Sequence, residues 1–296
     1  MILIKKDILL TKLLSYKQNG YFCVMHSLQK LFDFYLNASI HVAFAVYAFM
    51  RITEVYFDLP YNENLNYFVF YATITGYNFV KYFGIAKFHH RSLTQNLKII
   101  QIFSFLCFVM LCFYGFQLSL KTLFFYGGFG LLTVLYAVPF LSGLQKNLRA
   151  ISYLKIIIVA LVWAGVTVLV PLIDVGKDVF TSTVLLQFLQ RFLLVCVLIL
   201  PFDIRDLQFD AISLQTLPRK IGIENTKKVG YVLMLIVMVL EFLIAPLPIF
   251  RSVFLVLFFF ILILLMRSKD HQSKYYSSFF VEAIPIVWWL IFLVIL

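Results

Sequence analysis

Nine runs of mostly apolar residues follow one another along this chain, at approximately 32–52, 65–84, 99–118, 122–141, 152–173, 183–202, 229–249, 252–267 and 278–296. A helix needs about 20 such residues to cross the hydrocarbon core of a bilayer. A soluble domain carries about a quarter charged residues, whereas here 13% are charged and 62% hydrophobic, so the folded surface must face lipid. The expected fold is all-α, a polytopic transmembrane bundle of about nine helices. Residues 32–296 form one transmembrane domain. Residues 1–31 form a basic amphipathic segment on the membrane surface, too often interrupted by charge to be a signal peptide. The seventh and eighth runs are separated only by Ala245-Pro246-Leu247-Pro248 and Arg251. Proline cannot continue the helical ladder, which favours a tight turn there; one broken segment would reduce the count to eight.

Positive charge sets the orientation. With the N-terminus inside, 20 of the 25 Lys/Arg fall on the cytoplasmic side; Arg51, Lys121, Lys177 and Arg251 fall outside, and Arg191 lies within the sixth run. This asymmetry predicts N-terminus in and C-terminus out. The net charge of +11 is thus a topology signal, and without a basic, aromatic-interleaved soluble surface it does not indicate a nucleic-acid partner. Cys23, Cys107, Cys112 and Cys196 show no metal-ligand spacing and read as reduced packing residues. Between Glu63 and Asp174 there is no Asp or Glu. Any cytoplasmic carboxylate must therefore come from the loop after the sixth run or from the two chain ends.

That loop carries the densest acidic cluster. Asp203, Asp206 and Asp210 sit at offsets 0, 3 and 7, which places them on one face of a continuing helix. Like charges at a helix C-terminus repel one another and oppose the helix dipole. A divalent cation relieves both, and Mg²⁺ suits one or two carboxylates plus waters and phosphates. A solvated, helix-ending charge cluster is the alternative.

These residues resemble a motif of the UbiA superfamily of intramembrane prenyltransferases. Asp206-x-x-x-Asp210 is similar to the family's second aspartate motif, and Thr216-Leu217-Pro218 through Gly222 is similar to the turn that follows it. A second similar stretch runs from Tyr136-Ala-Val-Pro139 through Lys146, Arg149 and Lys155 to Trp163. The resemblance covers most of the chain and implies a transferase that moves an isoprenoid chain from a prenyl diphosphate to a small aromatic or lipid-like acceptor. It would work in a bacterial cytoplasmic membrane with its active face inward, with Asp206 and Asp210 catalytic and Asp203, Asp206 and Asp210 holding Mg²⁺. The family's first motif is absent: aligned on Asn78, Tyr82 and Ala86 stand where its aspartates belong. Basic residues stand there instead, namely Lys81, Lys87, His89, His90, Arg91 and Lys98. Cations can contact a polyphosphate directly through charge-assisted hydrogen bonds, which makes Asn78, Lys81, Arg91, Lys146 and Arg149 candidate diphosphate contacts, with Tyr136 orienting the donor. An inactive relative that binds isoprenoids or scaffolds a membrane enzyme is the second reading. A transporter is the third, although no internal repeat supports it.

Two intramembrane charges remain. Arg191 lies about 22 Å along a helix from Asp206 at ~1.5 Å per residue, and Glu241 sits at similar depth in the next run. A buried charge needs a partner, so an Arg191–Glu241 pair of structural role is expected. His41 reads as a hydrogen-bonded packing residue.

Overall fold

The computed structural model describes residues 28–88, 95–137, 154–208 and 216–295. All regular structure among them is helical. Successive helices are α1 (Leu28–Asn37), α2 (Ile40–Tyr56), α3 (Glu63–Phe88), α4 (Gln95–Gly115), α5 (Leu120–Ala137), α6 (Leu154–Asp174), α7 (Ser182–Asp206), α8 (Leu217–Ile221), α9 (Ile223–Ile244), α10 (Pro248–Arg267) and α11 (Tyr276–Ile295). A helix overlies each of the nine apolar runs. Among the described residues, α4, α6, α7, α10 and α11 are each long and apolar enough to cross a membrane, and the bent pair α1–α2 makes a sixth if counted as one span.

Neighbours in sequence pack as neighbours in space: α2 on α3, α3 on α4, α5 on α6, α6 on α7 and α9 on α10. Two further contacts, α7 with α9 and α2 with α11, complete the bundle. Its centre is aromatic. Trp288 and Phe49 are fully buried, with rings 6.3 Å apart and nearly perpendicular, and Phe254 packs 5.2 Å from Trp288; edge-to-face pairs are favoured by the ring quadrupole. The outside is apolar as well. Phe105, Phe108 and Phe113 on α4, Phe259 on α10 and Val294 on α11 are 47–86% exposed, a surface that belongs in lipid. Gly230 lets α9 nest closely: a Cβ there would strike the side chains of Leu200 on α7 and Leu265 on α10, the small-residue contact common between membrane helices.

Four breaks shape the bundle. The first apolar run does not form one helix: α1 meets α2 at 56°, because Ser39 adopts the left-handed φ of 62°, which L-residues avoid unless tertiary contacts hold them. The turn between α9 and α10 starts where Ala245 leaves helical geometry and ends with Pro248 in the first turn of α10, so residues 229–267 form two separate helices. The other two breaks are π turns, Gly165–Leu169 in α6 and Tyr276–Val281 at the start of α11. A proline follows each, Pro171 and Pro285. Its missing N–H and its ring clash with the preceding carbonyl disfavour the ordinary i→i−4 ladder. Cys107 and Cys196 are buried and free, and Cys112 is half-buried and free; Cys23 lies outside the described residues.

Candidate functional site

A cavity of about 680 Å³ opens at the end of the bundle where α7 finishes. One part of its wall is apolar, built from Val159 and Trp163 of α6, Val195, Leu198 and Ile199 of α7, and Val281 and Pro285 of α11. Trp163 is fixed by donating its indole N–H to the Tyr77 hydroxyl at 2.7 Å. The other part is charged: Asp33 from α1, Lys81 from α3, Lys155 from α6, Arg205 and Asp206 from α7, Lys274 from the loop before α11, and Glu282 from α11. The cavity therefore has the shape of an amphiphile, with an apolar body and a few convergent polar groups.

The charges are arranged in partnerships. Lys155, in the first turn of α6, donates to Asp203 at 2.6 Å and lies 3.9 Å from Asp206. Asp203 is 1% exposed, so it reaches the site only through Lys155. Arg205 grips one Asp206 oxygen with two nitrogens, at 2.9 and 2.8 Å, and donates to the Ser278 hydroxyl at 2.9 Å. Asp33 accepts from Lys274 at 2.8 Å and from the Tyr275 hydroxyl at 2.8 Å, and these bonds hold the Lys274 ammonium above its ordinary range. Lys81 donates to Ser39 at 3.0 Å. Behind the wall, Gln272 bonds the Pro201 carbonyl and the Ser277 hydroxyl at 2.9 and 2.6 Å, locking the start of α11 to α7.

Of the residues proposed from sequence, Lys81, Asp206 and Lys155 line the cavity. Asn78 does not. Buried at 3% exposure, it accepts from Ser39 at 2.8 Å and donates to the Ala38 carbonyl and the Ser104 hydroxyl at 3.0 and 2.7 Å. Its amide is spent on holding the α1–α2 break against α3 and α4. Lys98 is exposed on α4. Asp210, Arg91, Lys146 and Arg149, together with His89, His90 and the side chains of Lys87 and Tyr136, lie outside what the structure describes. The Thr216–Gly222 stretch forms the short helix α8, ended by Gly222 at φ 82°, and Arg219 ties it to α7 by donating to the Leu207 carbonyl at 3.0 Å.

Asp203 and Asp206, expected to face a metal, face an ammonium and a guanidinium instead. Among the described residues no three His, Cys, Asp or Glu side chains converge as a metal site. The third expected ligand, Asp210, lies outside the described residues. Sequence reading missed Asp33, Arg205, Gln272, Lys274 and Glu282. One signal did point to two of them: the acidic gap confines cytoplasmic carboxylates to one loop and the chain ends, and Asp33 and Glu282 lie in those ends.

A second charged cluster lies in the opposite half of α7, and none of its residues lines this cavity. Arg191 and Glu241 are both fully buried, yet they make no direct ion pair, contrary to expectation. Arg191 donates to the Phe49 carbonyl and to Thr167 and Thr53 hydroxyls at 3.0, 3.1 and 3.5 Å and stacks over the Phe49 ring. Glu241 accepts from Tyr56 at 2.5 Å and from Gln190 at 2.7 Å. The π turn of α6 brings Thr167 to the guanidinium, which is why Arg191 finds hydroxyls before it finds the carboxylate. His41 bonds both ring nitrogens, to Tyr35 and to the Phe279 carbonyl, as a packing histidine does.

No protein-family pattern and no curated protein sequence matches this chain. Solved structures do. A structure described as digeranylgeranylglyceryl phosphate synthase superposes with a TM-score of 0.56 at 15% identity, over 90% of this chain and 100% of that one. A UbiA homolog from Archaeoglobus fulgidus bound to GPP and Mg²⁺ gives 0.53 at 14%, over 86% and 93%. The same homolog bound to DMAPP and Mg²⁺ gives 0.52 at 14%, over 88% and 96%. With nearly the whole length of both chains in register, the helices described above are arranged in the UbiA fold.

Proposed function

We propose that this chain is a membrane prenyltransferase that moves an isoprenoid chain from a prenyl diphosphate to a small acceptor. The observation that carries this reading is the cavity itself: an apolar wall continuous with fixed cations, in a fold whose solved examples hold GPP and DMAPP. The apolar part suits a prenyl tail and the charged end a diphosphate. In such a transfer the difficulty is charge building on the departing diphosphate. Preorganised cations aimed at that charge are the usual remedy. Lys81, Lys155 and Arg205 are the candidates here, through charge-assisted hydrogen bonds. Asp203 and Asp206 hold Lys155 and Arg205 in place, and Asp206 itself lines the cavity.

Lys155, Arg205 and Lys274 already answer to carboxylates, so a diphosphate needs positive charge beyond theirs. Arg91, Lys146 and Arg149 supply it in this reading, with Tyr136 orienting the donor and Asp210 extending the aspartate cluster. The cavity end is then the cytoplasmic face of nine membrane-crossing helices, as the Lys/Arg asymmetry predicts. An isoprenoid-binding relative without turnover is the second reading, favoured by Tyr82 and Ala86 in place of aspartates. Turnover of radiolabelled prenyl diphosphates by the purified protein, with pooled acceptors and with or without Mg²⁺, separates the two. Turnover abolished by Asp206→Asn supports transfer. Binding without turnover supports the relative, and neither sinks both. Turnover that requires Mg²⁺ would show that the missing charge comes from a metal rather than from the basic residues.

A further inference from the structure

Three carboxylates line the cavity, and two of them are committed. Asp33 accepts from Lys274 and Tyr275, and Asp206 from Arg205. Glu282 is different: among the described residues its carboxylate has no hydrogen-bond or ion-pair partner. Lys81 and Arg205 act on it electrostatically, but their own hydrogen bonds go to Ser39, Asp206 and Ser278. A carboxylate that accepts no hydrogen bond keeps its lone pairs open to a ligand.

The backbone sets Glu282 in this position. It follows the π turn Tyr276–Val281 directly. Its N–H bonds the Ser277 carbonyl at 3.2 Å, five residues back, and the Ala283 N–H bonds Phe279 at 2.9 Å. Three residues on, Pro285 has no N–H to offer the Val281 carbonyl. The widened turn is thus written into the sequence, and such turns recur at functional sites. Here it brings a lone acid from an apolar helix into the charged end of the cavity.

We propose that Glu282 is the general base of the transfer, and that the acceptor is therefore a protic nucleophile bearing an O–H or N–H. The proposal rests on the prenyl-transfer reading. In the step, the bond between the allylic carbon and the diphosphate oxygen breaks, and its electron pair leaves on the diphosphate. A lone pair of the acceptor heteroatom forms the new bond to that carbon, and the acceptor's proton passes to a Glu282 oxygen and then to water. The other acids fit this role poorly, since Asp33 and Asp206 already accept from cations and Asp203 is sealed behind Lys155.

The test measures donor binding and turnover separately in full-length wild-type, Glu282→Gln and Glu282→Asp proteins. The donor is radiolabelled geranyl diphosphate, and the acceptor pool holds phenols, long-chain alcohols and amines. General bases contribute roughly 10²–10⁴-fold, so Glu282→Gln is expected to lower kcat by about 100-fold or more. Geranyl diphosphate should bind no more weakly to this variant, and Glu282→Asp should recover part of the rate. Wild-type turnover matched by Glu282→Gln overturns the base and leaves the transferase standing. Donor binding that falls in step with kcat also overturns it, since Glu282 would then be structural. Absence of wild-type turnover overturns the transferase reading, and the base with it.

Discussion

Helix α7 carries two charge clusters, one sealed in its first half around Arg191 and one half-buried at its C-terminus around Arg205 and Asp206, and they serve different purposes. Around Arg191 and Glu241 the polar groups are sealed in protein. Arg191 meets a carbonyl, two hydroxyls and an aromatic face, and Glu241 meets a phenol and an amide. Around Arg205 and Asp206 the same kinds of group sit on a cavity wall, and one acid, Glu282, is left open to it. Each cluster borrows from a proline-followed π turn: Thr167 in one, Ser277, Ser278 and Glu282 in the other. Buried charge alone therefore does not mark a functional site. What distinguishes the site is charge that several elements bring to a cavity and do not fully satisfy.

The largest expected effect is on stability at the sealed end. Arg191→Met leaves buried Glu241 with Arg251 as the remaining cation that acts on it, and stranding one member of a buried charged cluster costs about 3–5 kcal/mol. Denaturation in mixed micelles should show the loss, while kcat per folded molecule stays within about twofold of wild type. The double variant Arg191→Met/Glu241→Gln should be more stable than Arg191→Met, since the stranded charge is gone. A double variant no better than the single one would break the view that this end is purely structural.

At the open end the balance reverses. Lys155→Met removes a cation that is 27% exposed but leaves the buried Asp203 carboxylate without its donor, so it costs stability as well and its effect is read as kcat per folded molecule. Loss of one preorganised charge-stabilising donor typically lowers kcat by roughly 10²–10³-fold, and prenyl transfer should fall by about that much. A variant that unfolds but transfers normally per folded molecule would move Lys155 to the structural side of the comparison.

How far the sequence reveals each region follows from how local its contacts are. Each apolar run is found as helix, because lipid exposure demands length and apolarity from each membrane helix by itself. The break at Ser39 is not visible, since its left-handed backbone is held by Asn78 and Lys81, some 40 residues away in the chain. Asp203 and Asp206 stand out as a cluster, but the engagement of Asp203 by Lys155, 48 residues earlier, does not. Glu282 looks like an isolated acid in an apolar run until α11 is packed on α7 and sets it in the cavity that Lys81 of α3 also lines. Arg191 and Glu241 share a depth, as their positions predict, yet the π turn of α6 delivers hydroxyls to the arginine first.

The gentlest test probes the sealed end through a single oxygen. Tyr56→Phe removes the phenol that Glu241 accepts from at 2.5 Å and leaves Gln190 as its remaining hydrogen-bond donor. The ring itself stays packed against Phe250, 5.0 Å away, so shape is preserved. Hydrogen bonds to charged groups contribute about 1.5–3 kcal/mol, and a stability loss in that range is expected with no change in donor binding or kcat. A loss below that range would mean that Glu241 does not depend on the phenol. A fall in transfer at unchanged stability would mean that the two ends of α7 are coupled, and the division between a sealed structural cluster and an open functional one would no longer hold.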